Sequence, residues 1–452
     1  MAKRSRKERK SSPKVAHDLA PSRRSFIKGG GLVLAGHAIA SNQLAVANAA
    51  HAFDTDTIKV GLIGCGRRGV AIANEMLSTA GGGVQLVALA DIFPSSIQSA
   101  YRSLCSRHRD RVDVQNRRYD GLAGFKQVMA SDCDVVILAT PPAFRPRQFQ
   151  SAVDAGKHVF MEKPVATDPQ GVRLVLETGD LAKQKGLAVA VGLQRRHETG
   201  YRECIAQLKD GIIGDPVFAR AFWNSSGSSQ RPRKAKQSEL EYQLRNWQQF
   251  TWLGGDLIAE QHIHNLDVIN WLMDGHPIQA QGQGSRGADS LTGQVFDQHM
   301  VEFVYPGGVG LMSQCRHQKG CWNQVAEQVH MTRGVADISA AKIYNVAGDL
   351  IWQSEAGETK GRGWQPQQDD FLAALRRGEL PNEVEYGATS TMTAILGRMA
   401  SYSGKLVKWD SAFGSNVSLA DVDSLESLSS LAPVQRLSDG SYAVPVPGKP
   451  VT

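Results

Sequence analysis

An apolar run that passes without interruption into a glycine loop leaves this chain few folds: Ile58-Lys59-Val60-Gly61-Leu62-Ile63-Gly64-Cys65-Gly66-Arg67-Arg68-Gly69 reads as a β-strand entering G-x-G-x-x-G. Gly64 permits a tight turn, Gly66 has no Cβ to block a pyrophosphate, and Gly69 lets the following helix pack closely on the strand. The first N–H groups of that helix, around Arg67 and Arg68, then face an anion. A second apolar strand, Gln85 to Ala90, ends in Asp91, 22 residues beyond Gly69, where a ribose-binding acid is expected. A carboxylate there accepts hydrogen bonds from both ribose hydroxyls and repels a 2′-phosphate. The next residues, Ile92-Phe93-Pro94-Ser95, add no cation, so NAD is expected rather than NADP. The plainer reading of Asp91 is a turn cap.

Residues 1–49 stand apart from this pattern. A basic stretch leads to Ser22-Arg23-Arg24-Ser25-Phe26-Ile27-Lys28, a weakly apolar segment from Gly29 to Ala40, and Ala47-Asn48-Ala49. That order is expected of a cleaved twin-arginine export signal, which makes the export machinery a partner and the periplasm the destination. The apolar segment is well short of the roughly 20 residues of a membrane span, so no span is expected after cleavage. The segment also explains the net charge of +7: it holds ten Lys or Arg against two acids, leaving 41 basic and 42 acidic residues beyond it. Charge therefore gives no reason to expect nucleic acid as a partner. Export of already folded protein suits an enzyme that collects its nucleotide first, then holds it and restores its oxidation state in every cycle. The six cysteines lack C-x-x-C spacing and read as thiols, with Cys315 and Cys321 the one pair worth testing as a disulfide.

The remaining 400 or so residues suggest two domains. From 57 to 194, apolar runs at 134–139, 158–161 and 187–193 alternate with helix-like segments such as 168–185, which implies an α/β Rossmann domain with a parallel sheet covered on both faces. From 195 to 452 the pattern changes to α+β: a strand over 216–223, a polar loop, a helix over 260–273, strand-like runs from 278 to 353, and helices over 366–377 and 385–403. Strands in succession predict a large open, mainly antiparallel sheet, carrying the substrate and the contacts of a homo-oligomer. The last forty residues read as a strap or as partly disordered chain.

Two segments carry the chemistry. Glu162-Lys163-Pro164 follows the strand His158-Val159-Phe160-Met161, at the carboxyl edge where open α/β sheets bind ligands. A fixed ammonium there can grip a substrate hydroxyl beside the nicotinamide; the bland reading is a surface lysine in a turn. The second segment runs from Gly254-Gly255-Asp256 to Trp271. At helical spacing Glu260, His264, Asp267 and Trp271 share one face and His262 lies opposite, so Glu260 could orient His264 and stabilise its protonated form. His262 and His264 as a metal pair is a lesser reading, because the rings diverge, and core histidines are the structural alternative.

The glycine loop, the acidic strand end, Ala139-Thr140-Pro141-Pro142, Glu162-Lys163-Pro164, and Gly-Gly followed by acid-x-x-x-His-x-x-Asp-x-x-x-Trp-Leu occur in one order. Over residues 57–409 the chain thereby resembles the Gfo/Idh/MocA oxidoreductases. The resemblance implies that Lys163 and His264 are the active-site lysine and histidine, with Glu260 where many members have aspartate and His262 where glycine is common. It implies that Thr140 and Pro141 border the cofactor ribose, beside Glu162 and Lys163, and that a sugar or cyclitol CH–OH is oxidised. Gln194-Arg195-Arg196-His197 faces the same cleft on this reading. The loop from Asn224 to Trp252, with Arg231, Arg233, Tyr242, Arg245, Asn246 and Trp247, is the expected source of specificity. Arg196, His262 and Asp267 complete the expected substrate contacts. A redox-neutral NAD-dependent glycoside hydrolase is the rival reading, with Tyr242 or His262 as its additional acid or base. A silent carbohydrate-binding relative is the third.

Overall fold

The computed structural model describes residues 57–227, 230–287, 293–356 and 362–449, and the expected export signal lies outside them. Six parallel strands form the first sheet: β1 (Ile58–Ile63), β2 (Val84–Asp91), β3 (Arg118–Asp120), β4 (Val135–Leu138), β5 (His158–Met161) and β6 (Val189–Val191). Their order is β3-β2-β1-β4-β5-β6, so the chain reverses direction across the sheet between β1 and β4. Open α/β sheets bind ligands at such a switch point. β4 and β5 are buried along their whole length, as continuous apolar runs between two helical layers must be. β3 was invisible in the sequence because Arg118-Tyr119-Asp120 is short, polar and mostly exposed.

The second sheet has nine strands: β7 (Pro216–Ser225), β8 (Gln279–Ser285), β9 (Gln298–Val304), β10 (Gly310–His317), β11 (Gln324–Met331), β12 (Gly334–Asp337), β13 (Lys342–Asn345), β14 (Leu350–Gln353) and β15 (Val407–Lys408). The order is β14-β13-β12-β11-β7-β10-β9-β8-β15. Neighbours run antiparallel except β7 and β10, which pair in parallel. Buried and less buried residues alternate along β9 and β10, the signature of a sheet covered on one face only. Helices Ile263–Met273 and Val384–Ser403 supply that cover, and the second also packs on helix Pro169–Gln184, joining the two halves. Helix Trp364–Arg376 returns to the first sheet: it packs on helix Arg67–Leu77, and Phe371 meets Phe160 edge to face.

Two expectations change. The helix expected over 260–273 is two helices, Leu257–Glu260 and Ile263–Met273, because the chain breaks at Gln261 and His262 becomes the N-cap of the second. The polar loop after β7 contains helix Glu239–Arg245, capped by Ser238 through the N–H of Glu241. Of the two readings of the tail, the strap is the one observed. Leu425, Ala432 and Tyr442 are buried among Leu240, Tyr242, Phe250 and Trp252. All six cysteines are free, Cys315 and Cys321 included. Among the described residues no helix is long and apolar enough to cross a membrane.

Candidate active site

A cavity of about 960 Å³ opens at the carboxyl ends of β1, β2, β4 and β5. Its near wall is the glycine loop. Gly64 has φ +97°, and a Cβ there would lie 2.5 Å from the Ala139 carbonyl carbon. At Gly69 a Cβ would lie 2.0 Å from the Gly64 oxygen, whereas at Gly66 it would meet nothing within 4 Å. Gly69 is therefore required by helix–strand packing, and Gly66 leaves its side of the loop open toward the cavity. Helix Arg67–Leu77 begins at Gly66 without a side-chain cap, so its first N–H groups remain available to an anion. These features fit a dinucleotide pyrophosphate.

Asp91 lines the cavity, and its carboxylate accepts hydrogen bonds from the backbone N–H of Cys65 (2.8 Å) and of Phe93 (2.9 Å). Burial holds its carboxyl above the usual aspartate range despite those bonds. The residue thus pins the glycine loop to β2 while lining the cavity, so turn cap and ribose acceptor are compatible roles. Arg67, Thr140 and Pro141 also line the cavity, and Arg68 does so while donating from Nε to Glu162 Oε1 at 2.6 Å. The Arg68 guanidinium lies 5.2 Å from the centre of the Trp364 ring.

Lys163 and His264 line the same cavity from opposite domains. The Lys163 ammonium donates to the Glu260 carbonyl and lies 3.6 Å from Glu260 Oε1. Glu260 accepts further bonds from Gln248 and Gln261, and the helix break separates it from His264. The expected carboxylate–histidine pair is therefore replaced by a carboxylate–lysine pair. His264 instead lies against Trp223, ring centres 6.0 Å apart and planes 26° from parallel. Burial first, then the positive charges of Lys163, Arg195 and Arg68, push its imidazole well below the ordinary histidine value. Its Nδ1 is buried and has no hydrogen-bond partner among the described residues. That environment favours the neutral imidazole over the imidazolium, and Glu260 is not placed to stabilise the charged form.

Four expected substrate contacts do not line the cavity. His262 is fully buried with Nε2 2.8 Å from Ser313 Oγ. Asp267 is buried and holds Arg196 through two guanidinium nitrogens and Ser390 through its hydroxyl. Arg196 in turn lies over Tyr386 and Trp271. Tyr242 is buried edge to face with Phe250. Each was displaced for the same reason: a polar or aromatic side chain that the sequence offered to a ligand found a partner inside the protein. Arg245, Asn246 and Trp247 do line the cavity.

Sequence reasoning missed Arg145, Trp223, Gln248 and Trp364, which line it as well. Arg145 is fully enclosed and donates to the carbonyls of Thr140 and Pro164, cross-linking the loops that end β4 and β5. Burial lowers its pKa to about 10. Nothing near it in sequence advertised this role. Trp223, at the end of a strand run, could have been found from its position alone. Among the described residues no group of three or more His, Cys, Asp or Glu side chains is placed to hold a metal ion.

Fold and cleft together define an oxidoreductase built on an NAD-binding Rossmann domain. Residues 58–193 match the model of the oxidoreductase family, NAD-binding Rossmann fold, and residues 201–337 match the GFO/IDH/MocA C-terminal domain. The chain belongs to the GFO/IDH/MocA family. It is 27% identical over 218 residues to an inositol 2-dehydrogenase of Acidothermus cellulolyticus, covering 48% of this chain and 54% of that protein. The chain thus aligns with only about half the length of that relative. Its fold is similar to myo-inositol 2-dehydrogenase from Lactobacillus plantarum (TM-score 0.60, 20% identity, 78% of this chain and 99% of that one). It is also similar to an aldose-aldose oxidoreductase from Caulobacter crescentus (TM-score 0.62, 16% identity, 78% and 100%).

Proposed function

We propose that the protein oxidises a CH–OH group of a sugar or cyclitol, passing the hydride to an NAD that stays bound and is reoxidised by handing that hydride to a second, acceptor carbohydrate. The observation that carries this reading is that Lys163 and His264 line the glycine-loop cavity together. The nicotinamide, when bound, supplies the hydride acceptor. His264 takes the hydroxyl proton, since its surroundings favour the neutral form. Lys163, anchored by Glu260, holds the substrate oxygen and stabilises negative charge that develops on it. Trp223 and Trp247 offer flat apolar faces for a sugar ring.

The glycosidase reading is weaker on this geometry, because Tyr242 and His262, its candidate extra acid or base, are both turned into the protein. The inositol dehydrogenase likeness supports a polyol substrate, and the export signal expected over 1–49 supports work in the periplasm, with a homo-oligomer as the working form. Lys163→Ala and His264→Ala test the roles. Each is expected to lower turnover by about 10²–10⁴-fold while the purified protein keeps its nucleotide. Turnover at the wild-type level in either variant removes that residue from the chemistry.

A further inference from the structure

The wall facing Asp91 is built by the second domain. Arg231 and residues 244–249 line the dinucleotide cavity alongside Gly64, Asp91 and Phe93, and helix Glu239–Arg245 delivers Arg245 to the adenosine side. The Arg245 guanidinium carbon lies 3.8 Å from the centre of the Phe93 ring, two residues past the ribose acid. Its Nε donates to Glu241 Oε1 at 2.7 Å, which fixes the plane of the group, and its two Nη nitrogens make no further hydrogen bond among the described residues. A planar cation stacked on one aromatic face presents its other face, and its free N–H groups, to whatever fills the cavity.

The position of Arg245 is enforced from behind. Ser238, which caps the helix, donates to the Leu428 carbonyl, and Gln243 donates to the carbonyl of Val434 at 2.6 Å. Tyr442 donates to Glu239 at 2.6 Å and accepts from Arg233 at 2.8 Å. The strap itself is tied to the Rossmann domain, where Leu419 donates to Asp168 at 3.0 Å and Asp423 pairs with Arg147 at 2.9 Å.

We propose that Arg245 is a cofactor-binding residue, closing over the adenosine half of the dinucleotide opposite Asp91, rather than a contact to the oxidised substrate. Asp91 takes the ribose hydroxyls from the Rossmann side. Arg245 covers the adenosine from the second domain, so that the nucleotide is held between domains and its release requires the strapped segment to lift. The inference rests on dinucleotide binding at the glycine loop and is independent of which alcohol is oxidised.

Equilibrium dialysis of ADP-ribose and of nicotinamide mononucleotide against the full chain, first exchanged free of its resident nucleotide, tests it without reference to activity. Arg245→Ala is expected to weaken ADP-ribose binding tenfold or more and to leave nicotinamide mononucleotide binding within twofold of wild type. Arg245→Lys, which keeps the charge but not the planar face, guards against a folding defect and is expected to fall between Ala and Arg. Wild-type affinity for ADP-ribose in either soluble variant overturns the proposal, as does an equal loss for both ligands.

Discussion

The charges around His264 decide what that ring can do. Burial first, then three cations, hold its pKa down, and among the described residues no carboxylate pairs with it. A base that must be deprotonated works above its own pKa, and this one lies below the free-imidazole value of about 6.5. The pH profile of kcat/KM is therefore expected to stay flat from neutrality down through pH ~6.5 and to fall only at lower pH. Removing one cation by Lys163→Met should move any surviving acid limb upward, toward the free-imidazole value. An acid limb centred at or above that value in the wild type would mean that His264 is not the titrating base. Strand end and helix spacing singled out Lys163 and His264 in the sequence, and only the family resemblance separated them from a turn lysine and a core histidine. Their electrostatics were not legible, since Arg195, Arg68 and Lys163 come to the histidine from other elements.

Elements were legible in proportion to how continuous their patterns are. β1, β4 and β5 stood out as unbroken apolar runs, and the long helix Val384–Ser403 as a sustained segment. The break between Leu257–Glu260 and Ile263–Met273 did not, because Gln261-His262 has nothing in its composition that forbids a helix. That single break is why Glu260 serves Lys163 and not His264. The glycine loop allows the reverse inference, from element to residue. Gly69→Ala places a methyl 2.0 Å from a backbone oxygen that cannot move aside freely. It is expected to cost about 1–3 kcal/mol of stability and to lower nucleotide content on purification, as read by chemical denaturation and released-nucleotide absorbance. A Gly69→Ala protein with wild-type stability and full nucleotide content would show that close packing there is not needed.

For the molecule as a whole, the second domain lines the glycine-loop cavity through Trp223, Arg231, residues 244–249, Glu260 and His264, which domain order along the chain did not reveal. The strap, helix Trp364–Arg376 and Val384–Ser403 all come from the last quarter of the sequence, yet each packs on or reaches back to the Rossmann half. Such long returns leave no periodicity to read. The buried histidines add a pH dependence to global stability. Burial lowers His158 to about 4 and His262 to about 3, below the ordinary value. The unfolded chain then binds protons that the folded one does not, so their contribution is complete above pH ~6.5 and lost as pH falls toward those lower values, by about 1.4 kcal/mol per pH unit for each group. The thermal midpoint is expected to decline between pH 6.5 and 4.5 (about two units), and more shallowly in His262→Gln. An equally steep decline in that variant would assign the acid sensitivity elsewhere.

The central claim is that a captive nicotinamide, Lys163 and His264 act together on a polyol. Mixing the purified, nucleotide-loaded protein with myo-inositol, aldoses and aryl glycosides, and following nicotinamide absorbance alongside the mass of released products, tests it in one experiment. The predicted result is a single burst of reduced nicotinamide, at most one equivalent per chain, with a polyol or aldose, absent in Lys163→Ala and His264→Ala. Aglycone release with no change in nicotinamide absorbance, or a burst of wild-type size in both variants, would contradict it.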